Sequence, residues 1–311
     1  MLKTIYRLKY RYGKHFKLSA PVDVSLELSS YCTNNCGYCY HAEPRHMPFA
    51  RGHMKREIAY KVIKQCAEIG VNSIKFNYRG ESTINPIFED VTAHAKRLAE
   101  GMTFIDRVTN TNMNFKHDRE DIFRGLCNQT KVKISFDSFR REIFEKQRKG
   151  SSFHATLCNI YKLYNYPRRK NNLVIQAVRT ELNSDEDLRY EIKKRWPDAI
   201  ASIRDVVSGR TKEKKYNVIK NRGNERQSCL QAHVRLIVAH NGMVQICCPD
   251  IASSHVIGNA GLHHISDIFN SSQAVRIRER LKDGSAFRNN EACRTCPSFE
   301  SYKGYKHPWG S

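Results

Sequence analysis

The chain is short of acid. Its 311 residues hold 31 Asp and Glu against 53 Lys and Arg, a formal net charge of +22, and the first 20 residues carry six basic side chains and no acidic one. Charge on this scale bears on association and solubility, not on fold. Two readings of it stand: affinity for an anionic partner such as nucleic acid, an acidic peptide or a nucleotide-linked substrate, or a plain basic surface. Long apolar runs are missing as well. No stretch of 18 apolar residues exists, so no helix is expected to span a membrane. The opening MLKTIYRLKYRYGKHFKL scatters charge where a secretory signal needs an apolar core, so the expected location is cytoplasmic. Internal repeats and low-complexity tracts are absent. What remains, 40% hydrophobic and 27% charged residues, describes an ordinary globular chain, long enough for one large domain and a small one.

Cysteine, in contrast, is plentiful: eleven residues, which in a reducing compartment point to metal or catalysis before disulfides. Cys32, Cys36 and Cys39 stand in SYCTNNCGYCYH, a C-x3-C-x2-C spacing. They follow Val22 to Ser29, where Val22, Val24, Leu26 and Leu28 alternate with polar residues as in a strand. Three thiolates on one loop suit three irons of a 4Fe–4S cluster and leave the fourth iron without a local ligand. A zinc knuckle is the competing reading. Cys66, Cys127 and Cys158 stand apart and read as buried structural thiols. Cys66 shares an apolar helix face with Ile58, Val62, Ile63 and Ile69.

Strand and helix signals alternate over residues 22–207. Strands are expected at 22–29, 73–78, 104–109, 132–136, 173–178 and 200–207. Helices are expected at 55–69, from Asn85–Pro86 onward with Phe88, Val91, Ala95 and Leu98 buried, and at 119–127, 153–164 and 185–194. That makes six β/α units with crossovers suited to parallel strands, two fewer than a closed barrel needs. After the basic run TKEKKYNVIKNRGNER at 211–226, which reads as a linker, Asn241–Gly242 between 234–239 and 243–248 signals a β-hairpin. A helix is expected over 266–281.

The cysteine spacing, Tyr38 before its last member and its place after a first strand resemble the radical S-adenosylmethionine (AdoMet) superfamily. The resemblance implies a partial (β/α)6 TIM-like barrel with the cluster at the C-terminal ends of the strands. It also implies AdoMet bound at the open iron and cleaved to a 5′-deoxyadenosyl radical that abstracts hydrogen from a C–H bond. Tyr78-Arg79-Gly80-Glu81-Ser82 is similar to the family's Gly-Gly-Glu motif, which holds the methionine amino group, with Arg79 where the first glycine usually stands. By the same resemblance Asn110, in Thr109-Asn110-Thr111-Asn112, and Ser135 and Asp137, in ISFDS, face AdoMet or substrate, with Val178 or Arg179 nearby.

Cys229, Cys247, Cys293 and Cys296 bracket the hairpin and the last helix. Together with Gly258-Asn259 and Ser266-Asp267-Ile268-Phe269 they resemble the Twitch module, the short relative of the SPASM domain, in order and spacing. The implied content is one auxiliary 4Fe–4S cluster with four protein ligands; one zinc held by the same four thiolates is the alternative. Cys247 or its neighbour Cys248 is the ligand, since adjacent strand residues face opposite ways. Cys248 is then either a packed bystander or a hydrogen donor, as in radical epimerases. The expected organisation is a basic extension over 1–20, the barrel over 21–210, the linker over 211–226 and a small α+β auxiliary domain over 227–311. The implied reaction is oxidation or modification of a peptide, aminosugar or cyclitol, fed by a one-electron reductant such as flavodoxin or ferredoxin. Epimerisation, RNA modification and a zinc-containing nucleic-acid-binding protein are the alternatives. Iron with acid-labile sulfide, as against zinc, separates the enzymes from the last.

Overall fold

The computed structural model describes residues 2–13, 15, 17–39, 49–99, 106–167, 169–205, 229–248, 250, 253–286 and 293. The basic run at 211–226, the ends of two expected strands (Phe104 and Ile105, Val206 and Val207) and Cys296 lie outside them. Six parallel strands alternate with helices: β1 (Asp23–Leu26), β2 (Ser73–Phe76), β3 (Asp106–Thr111), β4 (Lys131–Ser135), β5 (Asn172–Arg179) and β6 (Ile200–Asp205). They lie side by side in chain order, each paired in parallel with the next. Between them run α2 (Arg56–Glu68), α3 (Phe88–Ala99), α4 (Glu120–Cys127), α5 (Arg141–Gln147), α6 (Phe153–Tyr164) and α7 (Leu188–Arg195). This is the expected partial (β/α)6 barrel. Among the described residues no helix is long and apolar enough to cross a membrane.

Local chemistry explains the boundaries. Asn85 does more than start a helix. Its Oδ1 accepts the Ile87 N–H at 3.1 Å, while its amide donates to the Leu28 and Met54 carbonyls at 2.7 and 3.1 Å. It therefore fastens the chain leaving β1 to the chain entering α2, and α3 begins at Phe88. The helix α5 was not legible in sequence, being only seven residues long. The expected helix at 266–281 is two: α9 (Ile265–Phe269) and α10 (Ser272–Lys282). The break falls at Ser271, whose hydroxyl accepts the Ala274 N–H at 3.2 Å and caps α10.

The C-terminal segment opens with α8 (Gln231–Val234) and then forms β7 (Arg235–Val238), β8 (Met243–Gln245) and β9 (Val256–Asn259). The expected hairpin is β7–β8, with Gly242 at φ +87° in its turn, a value that glycine adopts without strain. Strand β7 pairs in parallel with β1, so one nine-stranded sheet runs from β6 through β1 to β9.

The alternation in β1 has a different meaning from a half-exposed strand, because both faces are buried. Val24, Leu26 and Leu28 join the main apolar core. Asp23, Ser25 and Glu27, at most 4% exposed, occupy the opposite face, toward the barrel interior. Asp23 accepts Lys75 Nζ at 2.6 Å and Arg235 Nη2 at 3.1 Å, joining β1 to β2 and β7. Burial pushes the Asp23 carboxyl up, but Lys75 and Arg235 outweigh burial and hold it below its ordinary range. Helix α1 (Leu2–Tyr12), absent from the sequence reading, covers this end of the barrel: Tyr6 packs with Val22 and Val234, and its hydroxyl lies 3.4 Å from Asp23 Oδ1.

Asp23→Asn leaves two buried cations without their carboxylate and is expected to cost about 3–5 kcal/mol, read as a lower urea midpoint with an unchanged slope. Because the folded carboxyl has the lower pKa, its stabilisation is complete above the unfolded value and fades as pH falls through the folded one. The variant should therefore lose stability less steeply in acid than the parent.

Candidate metal centre at the strand ends

The segment 27–39 leaves the C-terminal end of β1 and is held from several sides. Ser30 donates its N–H to the Gly52 carbonyl at 3.0 Å, and the Asn35 N–H reaches the Lys149 carbonyl at 2.6 Å. The Asn34 amide donates to Ser151 Oγ at 2.5 Å and accepts from Asn114 Nδ2 at 2.8 Å. Within the loop, the Cys39 N–H bonds the Cys36 carbonyl at 3.0 Å, closing a tight turn. The Tyr38 hydroxyl donates to Asp137, which Arg148 also engages, its Nη2 donating to Oδ1 at 3.0 Å. The turn between α5 and α6 thus clamps the cysteine loop, a role for Arg148–Ser151 that no sequence signal announced.

Burial, with the nearby Glu81 carboxylate, pushes the Cys32 thiol up to about 12. Cys36 is pushed up to about 11 by burial, against the pull of Arg148. The Cys32 sulfur accepts the Asn34 N–H at 3.4 Å and faces Asn112 Nδ2 at 3.6 Å. Buried thiols that resist ionisation are what a bound cation would relieve, since metal ligands must be thiolates. Among the described residues, no three His, Cys, Asp or Glu side chains are already gathered at ligand distance of one point. The donor set of Cys32, Cys36 and Cys39 nonetheless suits an iron–sulfur cluster: three soft ligands on one clamped loop.

Next to it stands the Gly80–Glu81 step. A Cβ at Gly80 would sit 2.3 Å from the Ser29 carbonyl oxygen and 2.4 Å from that of Tyr31, closer than any side chain tolerates. The Glu81 N–H bonds the Tyr31 carbonyl at 2.8 Å. Glycine therefore lets the loop after β2 lie against the backbone that leads into Cys32. The Glu81 side chain is buried and accepts Thr83 Oγ1 at 2.7 Å and the Asn112 N–H at 2.8 Å. Burial pushes its carboxyl up, and among the described residues no cation pairs with it. A buried carboxylate in this state is a receptor for an ammonium group. Ser82 Oγ, its neighbour, also lacks a partner among the described residues.

Asn110 lies half-buried on β3, and the residue that touches both Cys32 and Glu81 is Asn112, just past the strand end. The TNTN repeat could have pointed to either asparagine. Ser135 ends β4, and Asp137 follows it, accepting the Val178 N–H at 2.8 Å. Asp137 thus binds Tyr38, Arg148 and β5 at once.

Arg79, the departure from the family pattern, is fully engaged. Its guanidinium grips Glu27 through two bonds of 2.8 and 2.9 Å and approaches Ser253 Oγ at 3.4 Å. Glu27 also accepts from the His240 N–H and Nδ1 at 3.2 and 3.1 Å. Burial pushes the Glu27 carboxyl up, and the His240 and Arg79 bonds outweigh burial and hold it low. A glycine at 79 would leave Glu27 without this partner.

In the C-terminal segment, Cys247 lies near Cys229 and Asp250, and burial pushes its thiol well above the usual value. Cys229, Cys247 and Cys293 all pack against the main core. Cys248 turns elsewhere: its sulfur accepts Arg235 Nη1 at 3.2 Å, on the barrel side. The Tyr78 hydroxyl donates to the Asp250 carbonyl at 2.9 Å, tying the end of β2 to this segment. Of the three isolated thiols, Cys66 is buried as expected, whereas Cys127, at the end of α4 and packed against the edge of the core, and Cys158, 3.6 Å from His154 Nε2, are only half-buried.

Residues 229–297 match the family model of SPASM, an iron–sulfur cluster-binding domain. Several solved structures share the fold. BtrN in complex with AdoMet and 2-DOIA aligns with a TM-score of 0.58 at 18% identity, over 88% of this chain and 91% of that one. SuiB of Streptococcus suis bound to precursor peptide SuiA gives 0.66 at 14% identity, over 89% and 71%. Native anSMEcpe with bound AdoMet gives 0.64 at 17% identity, over 89% and 88%. No curated protein matches the chain closely enough to count as a relative.

Gly80→Ala must push the 29–31 backbone away from the loop after β2. The expected result is a lower urea midpoint with an unchanged slope, with the far-ultraviolet spectrum retained. A midpoint equal to the parent's would refute the close approach.

Proposed function

The chain has the radical AdoMet fold with a C-terminal SPASM/Twitch-type module, and from that premise we propose that it is a radical AdoMet enzyme oxidising or modifying a peptide, aminosugar or cyclitol. The observation that carries this reading is the contact between the cysteine loop and a buried carboxylate with no cation partner among the described residues, Glu81. A 4Fe–4S cluster held by Cys32, Cys36 and Cys39 would supply the electron that splits the AdoMet sulfonium into methionine and a 5′-deoxyadenosyl radical, which removes hydrogen from a substrate C–H bond.

The protein's own part is orientation. Glu81, aimed by Thr83 and the Asn112 N–H, accepts from the methionine ammonium. Asp137, held by Arg148 and the Val178 N–H, fixes Tyr38 and with it the cysteine loop. Asn110 and Ser135, half-buried at the same strand ends, face the nucleoside or substrate. Cys229, Cys247, Cys293 and Cys296 would hold a second cluster, which would supply an electron sink for an oxidation. A small one-electron donor, of the flavodoxin or ferredoxin kind, supplies the first. The substrate class draws support from structures of the same fold that hold a precursor peptide or 2-DOIA.

Replacing Cys32, Cys36 and Cys39 together with Ala should remove one cluster's iron and abolish 5′-deoxyadenosine formation under dithionite. Continued formation would overturn the assignment.

A second reading, epimerisation, draws support from Cys248, which lies on the barrel side beside Arg235 and apart from Cys247. As a hydrogen donor its thiol would return solvent-exchangeable hydrogen to the substrate radical. In the oxidation reading Cys248→Ala turns over almost as the parent does, with product two hydrogens lighter and no deuterium gained from heavy water. Deuterium at the reacting carbon, lost in Cys248→Ala, would establish the epimerase instead.

A further inference from the structure

The inner face of the barrel sheet is rich in cations. On β4, Lys131 and Lys133 project to the same face, and Ser135 stands two residues further along it, about 7 Å at the rise of a strand. Strand register sets Lys75 of β2 level with Lys131 through Val108. Arg204 of β6 stands on the same sheet face as Lys133, four residues beyond Ile200, which lies level with Lys133 through Val174. These two, Arg235 of β7 and Lys131 all lie close enough to act on the Lys133 charge. Among the described residues, two carboxylates answer these five cations. Asp23 is shared by Lys75 and Arg235, and Asp106 lies 3.9 Å from Lys131. The other titratable groups around them are Tyr6 and Tyr10 of α1 and the Cys248 thiol. Lys133 forms no hydrogen bond or ion pair among the described residues, although it is half-buried.

A half-buried cation among like charges is costly unless something negative is to be bound there. The fold does not need Lys133 to be charged, because the Lys75–Asp23–Arg235 set already ties the strands together. Its neighbours place it just below the strand ends where Ser135, Asp137 and Glu81 gather. Resting on the reading of those strand ends as the AdoMet site, we infer that the barrel interior holds a subsite for an anionic group of the substrate, a phosphate or a carboxylate, bound by Lys133 and Arg204 with Lys75 behind them. The substrate's reacting carbon then lies toward the strand ends, and its anionic group reaches one or two strand residues deeper.

Burial and the surrounding cations push the Lys133 amine down to about 7. A bound anion favours the protonated form, so binding takes up a proton near neutral pH and weakens as pH rises above that value.

The test is calorimetric titration of the reconstituted holoprotein, saturated with AdoMet and kept unreduced so that no cleavage occurs. The probes are inorganic phosphate and, separately, acetate, each at constant ionic strength in two buffers of different ionisation heat. At least one probe should saturate with net proton uptake. Phosphate alone would mark a phosphorylated substrate, and acetate a carboxylate. Lys133→Met should weaken that probe about tenfold or more, the worth of one charge-assisted hydrogen bond. Arg204→Gln, at an exposed position that cannot harm the core, should weaken it by about threefold. Failure of both probes to saturate, or equal binding by the parent and both variants, overturns the subsite. The titration needs no turnover: a protein that binds phosphate but never cleaves AdoMet would fault the proposed reaction and leave the subsite standing.

Discussion

Charge buried on the inner face of β1 governs how the molecule is put together. Asp23 and Glu27, two residue pairs apart on a four-residue strand and its first exit step, are almost wholly removed from water. Each must be neutralised in place. Asp23 draws in Lys75 and Arg235, and Glu27 draws in Arg79 and His240. Every one of those partners comes from another strand or loop, and in both sets one partner comes from the barrel and one from the C-terminal segment. The apolar face of the same strand supplies the burial energy. The polar face dictates which neighbours may stand beside it.

The sequence carried the parts of this that depend on local spacing. Six strands, most of the helices and the hairpin turn at Asn241–Gly242 follow from periodicity and turn chemistry, and Gly80–Glu81 was visible because its role needs two adjacent residues. What could not be read depends on partners far apart in the chain. Arg79 looked like a flaw in a glycine motif until Glu27 and His240 stood beside it. Asn112 outranks Asn110 at the site because β3 ends one residue before it, a matter of strand boundary that a four-residue polar run does not reveal. Arg148 is an ordinary basic residue at a helix end until the fold sets it against Asp137 and Cys36. Strand β1 also misled in a useful way, since a polar–apolar alternation is the same on paper whether its polar side meets water or a barrel interior.

The high positive charge divides accordingly. Part of it is interior and structural, answered by Asp23, Glu27, Asp106 and Asp137. Part is interior with too few carboxylates among the described residues to answer it, around Lys133. The remainder includes Arg7, Lys9 and Arg11, exposed on α1, the helix that Tyr6 anchors over one end of the barrel through Val22 and Val234. A single net charge thus stands for several different arrangements, and only position tells them apart.

The pairing of β1 with β7 has a consequence for how the chain reaches this state. Arg235 and Asp23 are separated by 212 residues, so the centre of the sheet is completed by one of the longest-range contacts the chain contains. Contacts of that span are formed late, because the loop they close costs entropy before any pairing rewards it. As the chain leaves the ribosome, β1 can find β2 early, but its other edge and the Asp23 carboxylate wait until the C-terminal segment has been made. During that interval the protein carries an open strand edge and a half-answered buried charge, a state prone to self-association. Completion of the C-terminal segment therefore finishes the barrel as well as adding cysteines to it.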